Sequence, residues 1–287
     1  MINLLLSILF TSLLFAIFKY FKLYKINTLH AIVVNYFTAF ALGNATAGSF
    51  YQLNQLTEQT WFYGAVLLGL LFISVFQIMA ATAQKNGVSV ASVAGKMSVV
   101  IPVTFGIILY NEKISIFKIA GIIIALLAVY LSSVKDKKSK NQANLLLPLL
   151  LFLGSGIIDT TLKYIEVNYV LENQVGFFSS SLFGLAASFG LLLLIVKQLA
   201  LKQKIELKNL IAGIILGVPN YYSVFFLIKA LQDKNFESST MFTINNVAVV
   251  IISTLIGFLL FNEKFSKKNK IGIVLAIIGI AVVSINS

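Results

Sequence analysis

The sequence of 287 residues contains no cysteine, no arginine, one histidine (His30), one tryptophan (Trp61) and three prolines. Without cysteine the chain forms no disulfide and offers no thiolate for catalysis or metal binding. A single histidine leaves zinc-hydrolase patterns and Ser-His-Asp catalysis with too few parts. Without arginine, any grip on an anion falls to lysine, a compact point charge rather than a planar fork. No Gly-x-x-x-x-Gly-Lys-Ser/Thr stretch occurs, so ATP hydrolysis within this chain is not expected. Charge itself is scarce: 11% of residues are Asp, Glu, Lys or Arg, against about 25% in a soluble domain.

What fills the space is apolar. Hydrophobic residues make up 59% of the chain and the mean hydropathy is +0.93, the composition of an integral membrane protein. About 20 apolar residues span a bilayer core, and the runs predict helices near 3–21, 29–48, 61–84, 89–110, 115–133, 144–164, 174–197, 208–231, 238–260 and 268–286. The first run lacks a basic leader and a small-residue cleavage site, so it is expected to be a retained helix. The net charge of +12 is all lysine. Those lysines sit between apolar runs, where they serve topology rather than nucleic-acid binding.

One stretch occurs twice. Asn111-Glu112-Lys113 recurs 151 residues later as Asn262-Glu263-Lys264, and the same offset carries Gly106 to Gly257 and Gly121 to Gly272. Each copy is an apolar run, a polar turn and a second apolar run, closing one half of the chain. The basic linker Lys135–Asn144 separates the halves. The sequence therefore divides into a first five-helix repeat (1–133), a cytoplasmic linker (134–144) and a second five-helix repeat (145–287). Five is odd, so two like-folded halves enter the membrane from opposite sides. The expected fold is all-α: ten transmembrane helices in two inverted repeats around a central cavity, an architecture of secondary transporters.

Lysine placement orients the chain. Loops after the odd-numbered helices hold most of the lysines, while loops on the other side hold only Lys113, Lys118, Lys229 and Lys234. Lysine-rich short loops stay cytoplasmic, so both termini are expected outside. Trp61 suits an interfacial anchor, and His30 an interface position rather than a metal ligand. Glu112-Lys113 and Glu263-Lys264 suit interfacial turns with caps and local ion pairing.

The stretch Ala83–Leu131 resembles the EamA branch of the drug/metabolite transporter superfamily. The resemblance rests on the small residues Val90-Ala91-Ser92-Val93-Ala94, on Pro102 in the fourth helix, on Glu112 in the turn after it and on Gly121. The second half repeats Glu263 and Gly272 but has Ile252-Ser253 where a counterpart of Pro102 would fall. The resemblance implies a cavity lined by helices 1–4 and 6–9, with helices 5 and 10 outside. It implies export or exchange of a small molecule, by a superfamily that handles amino acids, sugar phosphates, nucleotide sugars, drugs and lipid-linked sugars. It also implies a bacterial inner-membrane location, no enzymatic activity and no cofactor.

Polar residues inside spans are costly and usually face protein or water. Lys96, two turns into the fourth helix, either snorkels or binds an anionic group from the cavity. Gln77 lies at a similar depth on the third helix. Asn245 and Asn246 occupy the equivalent region of the ninth. Asp159 and Lys163 are spaced i,i+4 and share a helix face, and Lys163 repeats the context of Lys19. Asn35 and Tyr36 on the second helix, and Asn220 and Tyr221 after Pro219 on the eighth, complete the substrate-binding candidates. Gly121-x-x-x-Ala125, Gly272-x-x-x-Ala276 and Gly213-x-x-x-Gly217 allow close helix approach. The expected partners are a small-molecule substrate, the lipid bilayer and a coupling proton or counter-substrate, in a monomer or homodimer. Two other readings remain: a lipid-linked-sugar or multidrug translocator, and a non-transport membrane subunit.

Overall fold

The computed structural model describes residues 2–47, 55–109, 116–133, 145–171, 174–201, 206–231 and 238–284. These residues are overwhelmingly helical, and no strand occurs among them. Eleven helices follow in order: α1 (Ile2–Leu23), α2 (Thr28–Ala47), α3 (Phe62–Lys85), α4 (Val88–Met97), α5 (Val100–Leu109), α6 (Ile116–Ser133), α7 (Leu146–Tyr169), α8 (Val175–Leu201), α9 (Leu207–Leu231), α10 (Ser238–Phe261) and α11 (Lys267–Ser284). They occupy the ten places the apolar runs predict, because α4 and α5 together fill the fourth. Among the described residues, six stretches have the length and composition to cross a membrane, within α1, α3, α7, α8, α9 and α10. α2 is not among the six, and it carries His30, Asn35 and Asn44. The apolar side chains left exposed on α8 (Leu191, Leu192, Leu193, Ile195, Val196) and α10 (Leu255, Phe258, Leu259, Leu260) are the surface a bilayer solvates.

The chain divides into two compact units, and each draws on both halves of the sequence. The first unit comprises Met1–Tyr20, Ile78–Ile157 and Tyr222–Ser287. In it α6 packs along α11 and α4 packs on α10. Small residues set the α6–α11 distance. Gly272 lies directly against the backbone of Leu131 and Ser132, Gly279 lies against Ile124, and Ala125 and Ala276 are wholly buried. The glycine–alanine pairs of both helices are thus used within the chain. Asn269 closes this end of the pair. It forms a reciprocal cap with Ser266 (3.0 and 3.1 Å), and its amide donates to the carbonyls of Leu131 (3.2 Å) and Ser132 (2.8 Å). One side chain thereby starts α11 and satisfies the orphan carbonyls that end α6.

The second unit comprises Phe21–Gln77 and Ile158–Tyr221. Its centre is α2, which packs on α8. α9 comes closest to α2 at two glycines. A Cβ on Gly213 would stand 2.7 Å from the carbonyl oxygen of Ala31, and one on Gly217 would stand 2.8 Å from that of Asn35. At one end of the unit Asn27 caps α2 by accepting from the amides of Leu29 and His30, while its own amide donates to Asn209 Oδ1 (2.9 Å). At another, Thr60 donates to the Tyr169 carbonyl (3.0 Å) and Gln174 bridges Trp61 Nε1 (3.3 Å) to Gln59 (2.9 Å). The segments after α1 and before α9 therefore meet, as do those before α3 and after α7. That is the sorting of lysine-rich from lysine-poor loops in the sequence.

Two positions differ from the sequence reading. Trp61 is 1% exposed, edge-on to Phe177 and Phe178, so its ring packs inside the unit rather than against lipid. His30 is likewise buried, with no hydrogen bond to Nδ1 among the described residues.

Candidate functional site

The fourth membrane run is not one helix. Its ladder stops at Ser98-Val99 and restarts as α5. The cause is three residues further on: Pro102 brings no amide proton, and its ring crowds the carbonyl one turn back, that of Ser98. Ser98 adapts by donating its hydroxyl to the Gly95 carbonyl (2.6 Å), while the amide of Ile101 takes the Ser98 carbonyl in a tighter turn (2.9 Å). The proline thus accounts for the break, and the structure gives its position.

Lys96 lies in the last turn of α4, immediately before that break. The carbonyl end of a helix carries partial negative charge and favours a cation. Lys96 is partly exposed, and a Cβ on neighbouring Gly95 would meet nothing within 4 Å, so this face of α4 is open. The opposite face is closed by the buried Val93, Ala94 and Met97. On α10, Asn245 and Asn246 are both buried. Ser7 of α1 donates to the Ser223 carbonyl (2.9 Å) and lies 3.5 Å from Asn245 Oδ1. One hydroxyl therefore gathers α1, α9 and α10. The sequence signal for Ser7 was a lone hydroxyl in an apolar run.

Seven of the candidates belong to the second unit. Tyr36 is buried against Phe76 and Phe183, and its hydroxyl donates to the Phe72 carbonyl (2.9 Å). In this conformation it is a packing residue. Asn35 is fully buried with Nδ2 3.4 Å from the Ile32 carbonyl, and its Oδ1 has no hydrogen bond among the described residues. Gln77 Nε2 is also buried without a hydrogen bond among the described residues. Asn220 and Tyr221 are buried in α9 beside Pro219, and the Tyr221 hydroxyl is hydrogen-bonded to Thr46. Asp159 and Lys163 share an exposed face of α7. Charged groups exposed this far along a span require water or a protein partner.

The most connected acidic group was read from sequence as a local turn. Asn262 adopts a left-handed conformation (φ 50°), which asparagine tolerates better than most residues. The Glu263 amide can then bond back to the Gly257 carbonyl (3.0 Å). This turns the Glu263 carboxylate toward distant segments. It accepts from the amides of Val88 (2.7 Å) and Ser89 (3.4 Å) and from the Ser89 hydroxyl (3.2 Å), and Lys19 Nζ lies 3.4 Å away. The glycines at 87 (φ 120°) and 257 leave the space it occupies, since a Cβ at either would meet the carboxylate. Glu112 and the linker Lys135–Asn144 lie outside the described residues. Among the described residues no three His, Cys, Asp or Glu side chains cluster as a metal site needs.

Three comparisons bear on the chain as a whole. A solved crystal structure superposes with a TM-score of 0.58 at 13% identity, covering 98% of this chain and 94% of that one; this likeness concerns the fold alone. An uncharacterized protein of Haemophilus influenzae is 29% identical over 216 residues, 73% of this chain and 71% of the relative. Residues 143–285 match the family described as EamA-like transporters. With apolar helices of spanning length in both halves and this match across the second, the chain is a membrane protein of the EamA-like transporter family, within the drug/metabolite transporter superfamily.

Proposed function

We propose that the chain is a secondary transporter that exports or exchanges a small anionic or zwitterionic metabolite, such as an amino acid, by alternating access. It works from the bacterial plasma membrane, driven by a proton or counter-substrate. The observation that carries this reading is Lys96 at the end of the half-helix α4, on an open face beside the break before Pro102. Interrupted spans whose ends face a binding region are a transporter device. A lysine within a span costs a few kcal/mol unless it has a partner or a role. In this reading Lys96 takes the anionic end of the substrate. Asn245 and Asn246 on α10, the helix against which α4 packs, supply neutral hydrogen bonds. Motion comes from two inverted five-helix repeats, the halves 1–133 and 145–287, supported by the recurrence of Asn-Glu-Lys with an odd number of spans.

The test is a thermal-shift screen of the purified protein against pooled amino acids and small anions, followed by flux of the hits into proteoliposomes. At least one anionic or zwitterionic metabolite is expected to raise the melting midpoint and to be transported. Stabilisation only by bulky apolar cations or lipid-linked sugars would overturn the reading.

A further inference from the structure

The Glu263 carboxylate joins three elements that are distant in sequence: the end of α1 through Lys19, the start of α4 through Val88 and Ser89, and its own α10. Beside it the ring of Tyr20 lies edge-on to Phe261, 4.9 Å between centroids, so α1 and α10 are in direct contact here. Lys19 is 20% and Glu263 12% exposed, so the pair is largely shielded from solvent. Three hydrogen bonds to a charged acceptor at a helix start are strong and geometrically demanding. The same carboxylate would not hold three elements merely to end a helix, since the Glu263 amide already does that through Gly257. All the contacts sit at the end of α4 opposite Lys96, on the lysine-rich side of the chain.

We infer that Glu263 is a gating residue, whose carboxylate latches α4 to α1 and α10 and closes the lysine-rich face of the transporter. The inference rests on the alternating-access reading above. Opening that face requires α4 to part from α10, and the Glu263 bonds to Val88 and Ser89 must then break, while Lys19 holds the carboxylate in place for them. The closed state is held by the carboxylate, so removing its charge shifts the population toward the state open on that side. Lys19 and Ser89 belong to the same latch and shift it less, because each removes one contact.

Accessibility tests the latch without any substrate. The cysteine-free chain receives Gly95→Cys, at the open face of α4, and reacts with a membrane-impermeant maleimide in right-side-out and inside-out vesicles. Adding Glu263→Gln is expected to raise the labelling rate from the lysine-rich side about fivefold or more, and to lower it from the other. Lys19→Met and Ser89→Ala should give smaller shifts in the same sense. If Glu263→Gln does not fold, the Lys19→Met/Ser89→Ala double variant takes its place with the same expectation. Labelling unchanged from both sides, with only a lower melting midpoint, would show that Glu263 is a structural cap and overturn the inference. Absence of metabolite flux with the labelling shift intact would strike the transport reading and leave the latch standing.

Discussion

Gly217 and Gly95 lie in helices, and the structure assigns them opposite responses to one added methyl. At Gly217 the new Cβ would stand 2.6 Å from Thr38 Cβ and 2.8 Å from the Asn35 carbonyl oxygen. Both distances are below any real Cβ contact, and a backbone carbonyl cannot swing aside like the tip of a side chain. Overpacking of this kind costs roughly 1–3 kcal/mol. Removing a helical glycine returns about 1 kcal/mol. The net for Gly217→Ala is therefore a loss of up to about 2 kcal/mol. At Gly95 nothing lies within 4 Å of the Cβ, so only the gain of about 1 kcal/mol remains. With about 2–4 °C per kcal/mol for a chain of this order, the two variants should melt on opposite sides of the parent, several degrees apart. The assay is the melting midpoint of detergent-purified protein at a fixed scan rate. Gly217→Ala at or above the parent with Gly95→Ala below it would refute the α2–α9 packing and the open face of α4 together.

Asn269→Ala removes the cap on the Ser266 amide and two bonds to the end of α6. It should lower stability by about 1–3 kcal/mol, read as a midpoint shift; Lys270→Ala, exposed beside it, should change little. Asp159 and Lys163 are exposed on one face of α7, so a double-mutant cycle with Asp159→Asn and Lys163→Gln should give a stability coupling of no more than about 1 kcal/mol, as for a solvated pair. A larger coupling would show that the two are held out of water. Ser139→Cys, in the basic linker, should stay unlabelled by an impermeant maleimide in intact cells and react in inside-out vesicles; labelling in intact cells would invert the proposed orientation.

Helix placement was legible because a 30 Å apolar layer imposes a long apolar run on every span, and such runs survive in the sequence. The break at Ser98-Val99 was half legible. Pro102 announced a disturbance, but its steric effect falls on the preceding turn, and Ser98 gives no sign alone of accepting it. Gly213 and Gly217 announced a close approach, and only the fold shows that α2 is what approaches. Glu263 was misjudged for the same reason. Its neighbour in sequence is Lys264, while its partners Lys19 and Ser89 arrive from α1 and α4. Tyr36 reads as a cavity residue by type and depth, yet two aromatic neighbours and the Phe72 carbonyl enclose it. Long-range contacts leave no periodic trace, and these are the ones that decide which polar residues are spent on the fold.

The most direct measurement is flux of the substrate that the screen identifies, compared between the parent and Lys96→Met in proteoliposomes at matched protein content. Methionine suits the membrane and fills the same length, so the variant should fold. The account predicts loss of transport of an anionic or zwitterionic substrate, with partial retention in Lys96→Arg, where the charge persists with different geometry. Transport by Lys96→Met at the parent's affinity and rate would contradict it.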